Sequence, residues 1–149
     1  MKYLFSLILS CIGLTAMAQI KDPVQWNYAA KKKSANEYEL VITATIPSPW
    51  HLYSQNTGKG GPIPTSIKFK SNPLVTVNGK AKETGKLEKT YDDIFKTDVL
   101  YYSNKVEFVQ NVKLKSAVKT NISGTVEYMV CDDHQCLPPT KKSFDVKLD

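Results

Sequence analysis

Arginine is absent from this chain: all twenty basic residues are lysine. A nucleic-acid-binding surface usually joins a basic stripe to arginine forks and interleaved aromatics. Here the lysines are scattered, with runs only at Lys31-Lys32-Lys33 and Lys141-Lys142. They read as a solvated surface, and no nucleic-acid partner is expected. Phosphate loops and nucleotide fingerprints are also missing, so no cofactor is expected. No stretch combines a helical period with a cap, which leaves helical fold classes without support. Internal repeats and low-complexity tracts are absent. Cysteine is scarce, with Cys11, Cys131 and Cys136 the only three, and histidine scarcer still, with His51 and His134.

The one long apolar stretch lies at the N-terminus. Met1-Lys2 gives a positive start, residues 3–14 are apolar apart from Ser6, Ser10, Cys11 and Gly13, and Ala16-Met17-Ala18 is a small-x-small cleavage site. This is the three-part layout of a secretory signal peptide. It is too short for a membrane span, which needs roughly 20 apolar residues. Residues 1–18 are therefore expected to be removed and 19–149 to form the mature protein. An alternative is a lipoprotein signal acylated at Cys11, but the apolar run continues past that residue. The mature chain carries nineteen lysines against fourteen acids, a net charge of +5. It is long enough for one domain with a core and too short for two. No second apolar run could span a membrane, so a soluble periplasmic protein is expected.

The mature chain reads as all-β. In 37–46, Tyr38, Leu40, Ile42 and Ala44 alternate with Glu39, Val41, Thr43 and Thr45. In 106–114, Val106, Phe108, Gln110, Val112 and Leu114 share one side, and 125–131 and 143–148 alternate likewise around Val126, Tyr128, Val130 and Phe144, Val146, Leu148. Period-two patterning rich in β-branched and aromatic residues marks half-buried strands. Shorter strands are expected over 24–28, 50–54, 65–69, 74–77 and 99–102. Turns are expected at Lys31-Lys32-Lys33, Pro47-Ser48-Pro49, 58–64, Asn72-Pro73, Asn78-Gly79, Ser103-Asn104 and Ser123-Gly124. Many short strands at this spacing suggest a β-sandwich or barrel, and an immunoglobulin-like sandwich is expected. Trp50, Leu40, Ile42, Phe108, Tyr128 and Phe144 are its expected core.

Removal of Cys11 leaves Cys131 and Cys136 in an exported chain, where an oxidising compartment allows them to pair. Four polar residues, Asp132-Asp133-His134-Gln135, separate them, a common hairpin length. Three readings compete. A structural staple would close a six-residue ring and remove about 2 kcal/mol of unfolded-state entropy, less than a long-range bridge would. A metal site would need His134, an Asp or an imported His51 beside the thiolates, without the second ligand pair usual for zinc. A redox-active dithiol would use a short solvated loop that leaves a sulfur open to attack. A carboxylate about 6 Å from a thiolate repels it by about 1–3 kcal/mol, so Asp132 and Asp133 should keep a reduced pair as thiols. His134 reads as a solvated loop residue. Cys131 follows apolar Met129 and Val130, whereas Cys136 precedes Pro138-Pro139, which disrupt strand pairing. Cys136 is thus the more open sulfur.

The run Tyr128-Met129-Val130-Cys131-x4-Cys136-Leu137-Pro138-Pro139-Thr140 resembles the N-terminal periplasmic domain of the thiol:disulfide interchange protein DsbD. Trp50-His51-Leu52-Tyr53-Ser54 followed by Gly61-Pro62-Ile63-Pro64-Thr65, and Tyr91-Asp92-Asp93-Ile94-Phe95, extend the resemblance over most of 23–148. It implies an immunoglobulin-like fold and an electron-shuttle role, as a protein-disulfide reductase component. It implies Cys131 and Cys136 as the redox pair, with Cys136 the sulfur attacked. It also implies a cap over them in which Asp92 and Asp93 are the acidic pair and Ile94 and Phe95 the shielding residues. The implied partners are a thioredoxin-like reductant and periplasmic disulfide-bearing acceptors. An exported binding module with a structural disulfide is the alternative.

This sequence departs from the family pattern in three places. The cysteine loop is one residue shorter. Ile94 stands at the cap's aromatic position with Phe95 next to it. Neither a membrane domain nor a thioredoxin-like domain follows, so the reductant is expected on a separate chain. His51 sits beside Trp50 with no nucleophile nearby in sequence and reads as structural or surface-exposed.

Overall fold

A computed structural model describes residues 22–149; the expected signal peptide and Cys11 lie outside the described residues. Among the described residues nine strands run in chain order: β1 (Gln25–Lys32), β2 (Glu37–Tyr53), β3 (Ser66–Phe69), β4 (Val75–Val77), β5 (Lys82–Asp92), β6 (Thr97–Leu114), β7 (Thr120–Tyr128), β8 (Val130–Cys131) and β9 (Thr140–Leu148). One sheet has the order β1-β2-β6-β4, with β5 added along β6 and β8 along β2; the other has the order β3-β7-β9. All pairings are antiparallel. The two open sheets pack face to face as an immunoglobulin-like sandwich.

Alternation builds the core as expected. Leu40, Ile42 and Ala44 from β2 meet Val106, Phe108 and Val112 from β6, and Val126, Tyr128, Phe144 and Leu148 close it from the smaller sheet. Leu40, Ile42 and Phe108 are fully buried, Tyr128 is almost so, and Trp50 and Phe144 retain only 5 % exposure. Each such side chain contributes about 1.5–3 kcal/mol on burial. Tyr128 also anchors the start of the described chain: its hydroxyl donates to Asp22 at 2.8 Å, and Asp22 pairs with Lys142 at 2.6 Å.

Several turn expectations are corrected. Ser103-Asn104 lies inside β6. Asn104 takes a left-handed φ of 64°, and the register of β6 against β2 slips beside it. The strand is thus kinked but not ended, a bulge that asparagine tolerates better than most residues. Pro47-Ser48-Pro49 forms the other side of that irregularity, within β2. Lys31 and Lys32 still pair, with Glu39 and Tyr38, so the turn begins at Lys33. Ser123-Gly124 sits in the middle of β7. A Cβ on Gly124 would overlap the Lys68 carbonyl oxygen and the Phe144 ring, so glycine there permits close approach and not a bend. β5 has no counterpart among the strands expected from the sequence. It is an edge strand with mostly exposed residues and several lysines, the usual means of blunting a sheet edge.

One polar knot fastens β5 to the end of β2. Glu83 accepts from Ser54 Oγ at 2.7 Å, Gln55 N at 2.6 Å and Tyr102 Oη at 2.9 Å. This fixes the start of the long β5–β6 hairpin, whose far end reaches the cysteines.

Candidate active site

The register of β2 decides where the cysteines sit. Leu52 pairs with Val130 and faces the core, whereas His51 pairs with Cys131 and shares the opposite face of the sheet with Tyr53. Cys131 is therefore built onto the outer surface of the larger sheet. Beyond it the chain doubles back within four residues. Asp132 N donates to Gln135 O and Leu137 N to Val130 O, both at 2.9 Å. Cys131 and Cys136 face each other as an isolated bridge, with Cα atoms 4.0 Å apart, and are joined by a disulfide. The pairing expected from the sequence is thus present, at a cross-strand position.

Asp132 organises that loop. Its Oδ1 accepts the amides of His134 and Gln135, both at 2.8 Å. These donors, the His134 amide foremost, hold its carboxyl below the usual aspartate range. Asp92 does the same in the β5–β6 turn opposite, accepting the amides of Ile94 at 2.8 Å and Phe95 at 3.1 Å. In both turns an aspartate replaces the missing ladder with a side-chain turn.

The β5–β6 turn brings Phe95 against the cysteines. A small apolar cluster of Tyr53, Val99 and Cys131 is buried on this face, and Phe95, Tyr101, Met129 and Cys136 pack against it. Phe95 stands edge-on to Tyr53 at 6.4 Å. Cys131 is 1 % exposed, and Cys136 is partly exposed. Ile94, by contrast, is 58 % exposed, so of the two apolar cap residues only Phe95 joins the packing around the sulfurs. Asp93 is exposed and 3.8 Å from Lys96 Nζ. His134 is exposed, as expected.

Beside the disulfide lies an open groove of about 300 Å³, lined by His51, Asp92, Asp93, Tyr101, Asp132 and Asp133 among others. The four sequence-identified aspartates thus converge, although two come from one hairpin and two from another. His51 is half-buried. Its ring lies 4.8 Å from that of Tyr101, and its Nε2 is 3.3 Å from Tyr53 Oη. Burial pushes its pKa below the ordinary histidine value, while Asp133, Asp92, Asp132 and Glu88 pull in the opposite direction. Burial, then the Asp92 carboxylate and its hydrogen bond, raise Tyr53 far above the ordinary tyrosine value, and it stays a neutral hydroxyl.

His51, Tyr53 and Tyr101 were not among the site residues read from the sequence. No nucleophile lies near His51 in sequence, but Cys131, eighty positions away, is its strand partner. Period-two alternation in Trp50-His51-Leu52-Tyr53 was the available signal, since it places His51 and Tyr53 opposite the core-facing Trp50 and Leu52.

The architecture defines a class: an immunoglobulin-like sandwich with a cross-strand disulfide on one sheet face and an aromatic residue of a hairpin turn packed on the cluster beside it. The family model for "Thiol:disulfide interchange protein DsbD, N-terminal" matches residues 18–148, and the chain belongs to that family. Among solved structures, the reduced N-terminal domain of Neisseria meningitidis DsbD is similar, with a TM-score of 0.59 at 16 % identity, over 85 % of this chain and 86 % of that one. The N-terminal periplasmic domain of Proteus mirabilis ScsB gives a TM-score of 0.57 at 18 % identity, over 84 % of this chain and 46 % of that one. A complex of the DsbD and PilB N-terminal domains from N. meningitidis gives 0.55 at 16 % identity, over 82 % and 80 %. No curated protein matches the sequence.

Proposed function

We propose that this protein passes reducing equivalents by thiol–disulfide exchange at Cys131–Cys136, from a thioredoxin-like donor on a separate chain to exported disulfide-bearing acceptors in the periplasm. The observation that carries this reading is the placement of the disulfide. It lies on a sheet face outside the main core, one cysteine buried and the other partly exposed, with Phe95 packed against the cluster that holds Cys131. A bond meant only to staple the sandwich would join the two sheets, whereas this one closes a ring within one hairpin. The family membership and the signal-like residues 1–18 support the same reading, as does the neisserial complex, in which a related domain is bound to a PilB domain.

In this reading the donor thiolate attacks Cys136, the sulfur with an open side, and Cys131 completes the exchange. Attack requires approach along the S–S axis, which burial denies at Cys131. Phe95 narrows the access of small oxidants to the sulfurs until a partner displaces the turn, with Asp92 holding that turn and Asp93 and Ile94 at its tip. Asp132 and Asp133 disfavour a thiolate in the reduced pair. Equilibration against thiol buffers tests the reading. A working bond has a potential above about −300 mV, while a structural disulfide on a binding module lies below it. Trapping tests the roles: Cys131→Ser should hold a mixed disulfide with a donor lacking its resolving cysteine, and Cys136→Ser should trap far less. Equal trapping would overturn the assignment.

A further inference from the structure

The buried sulfur poses a proton problem. Cys131 has almost no exposure in the disulfide form, and as a thiol in the reduced pair it is followed directly by Asp132 and Asp133. Burial and nearby negative charge both disfavour its thiolate. Yet when Cys136 is held in a mixed disulfide with an acceptor, Cys131 must attack as a thiolate to release that acceptor. A base beside the sulfur would ease that step.

We propose that His51 is the base that takes this proton. The proposal rests on the thiol–disulfide reading above. His51 and Cys131 are direct antiparallel partners. Residues so placed project to one face with Cβ atoms about 4.5–5.5 Å apart, which puts an imidazole within reach of the sulfur. The ring also lines the open groove, so it links a buried thiol to solvent. Its orientation is fixed by Tyr101 and Tyr53. Nε2 lies 3.3 Å from the Tyr53 hydroxyl oxygen; in the tautomer this proposal requires, Nε2–H donates to that oxygen and Nδ1 keeps a lone pair to accept a proton. Burial keeps the ring neutral beforehand, and the carboxylates facing it stabilise the imidazolium once formed: Glu88 and Asp92 from β5, Asp132 and Asp133 from the cysteine loop. Asp93 lines the same groove, and Tyr53 and Tyr101 are the other titratable groups against the ring.

The step balances. The Cys131 S–H proton moves to His51. The Cys131 sulfur bonds to Cys136, and the bond from Cys136 to the acceptor sulfur breaks with its electron pair on the acceptor. The imidazolium returns the proton to that thiolate or to water. The dithiol of this protein is oxidised and the acceptor disulfide reduced.

The test uses the reduced mature protein and dithionitrobenzoate, whose coloured thiolate is released twice. The first release follows reagent attack by Cys136. The second follows closure by Cys131 and is independent of reagent concentration. In the wild type the closure rate should level off by about pH 7, whereas thiol ionisation alone would keep it rising to about pH 8.5 and beyond. His51→Gln and His51→Asn should close about 100-fold more slowly at pH 7, rise about tenfold per pH unit without a plateau, and leave the first release in place. Added imidazole should accelerate closure in His51→Ala. A wild-type closure rate that climbs without a plateau through pH 8.5 overturns the inference whether or not the variants fold. So does a folded His51→Gln that closes at the wild-type rate. A wild type that never gives the second release overturns the thiol–disulfide reading itself.

Discussion

Removing the Phe95 ring should unmask the disulfide by an amount that its packing sets. The ring packs against the cluster of Tyr53, Val99 and Cys131 and lies edge-on to Tyr53. Full burial of such a side chain is worth about 1.5–3 kcal/mol, and Phe95 is only partly buried, so about 1–2 kcal/mol of cap closure is at stake. The rest of the turn does not depend on the ring, because the Asp92 carboxylate holds it through the Ile94 and Phe95 amides. If a reagent reaches the sulfurs only when the turn lifts, Phe95→Ala should raise the open fraction, and with it the reaction rate, by about 5- to 30-fold at RT near 0.59 kcal/mol. The assay is the rate of reduction of the Cys131–Cys136 disulfide by a small phosphine, followed by alkylation and mass. Ile94→Ala is the control: that side chain is 58 % exposed and should change the rate less than twofold. A folded Phe95→Ala protein reduced at the wild-type rate would remove the cap from the mechanism, and an equal effect of Ile94→Ala would show that the ring is not what shields the sulfurs.

Glu83→Ala should cost about 2–3 kcal/mol in denaturant unfolding, since the Ser54, Gln55 and Tyr102 donors it satisfies lose a charged acceptor; Glu83→Gln should recover part of that loss. Gly124→Ala should destabilise by about 1–3 kcal/mol, because the Lys68 backbone and the Phe144 ring occupy the space a methyl group needs; an unchanged midpoint would mean that the β3–β7 contact yields freely. Stability should also depend on pH through His51. Its folded pKa is lowered by burial, so the unfolded chain binds the proton more readily. The contribution is full above the ordinary histidine value near 6.5 and is lost as pH falls through it towards the folded value. Comparison of unfolding free energies at pH 7.5 and 5 for the wild type and His51→Gln should show a smaller drop in the variant, and equal drops would refute the assignment.

The sequence alone determined an all-β fold and its core faces, because alternation records which face of each strand is buried. Leu40, Ile42, Phe108, Tyr128 and Phe144 were legible as core for that reason, and all are buried. Two cysteines flanking a four-residue polar loop were likewise enough to pair Cys131 with Cys136, since the geometry needed is local to one hairpin. β5 was illegible because an edge strand solvated on both sides carries no apolar period. The continuity of β6 through Ser103-Asn104 was hidden because a bulge and a turn use the same residues, and only the neighbouring strands distinguish them. The tertiary structure also decided that Phe95 of the β5–β6 turn packs on the cluster holding Cys131 and that His51 pairs with Cys131. Both follow from strand register between segments far apart in the chain, where a slip of one residue would have turned His51 into the core and Leu52 toward the disulfide.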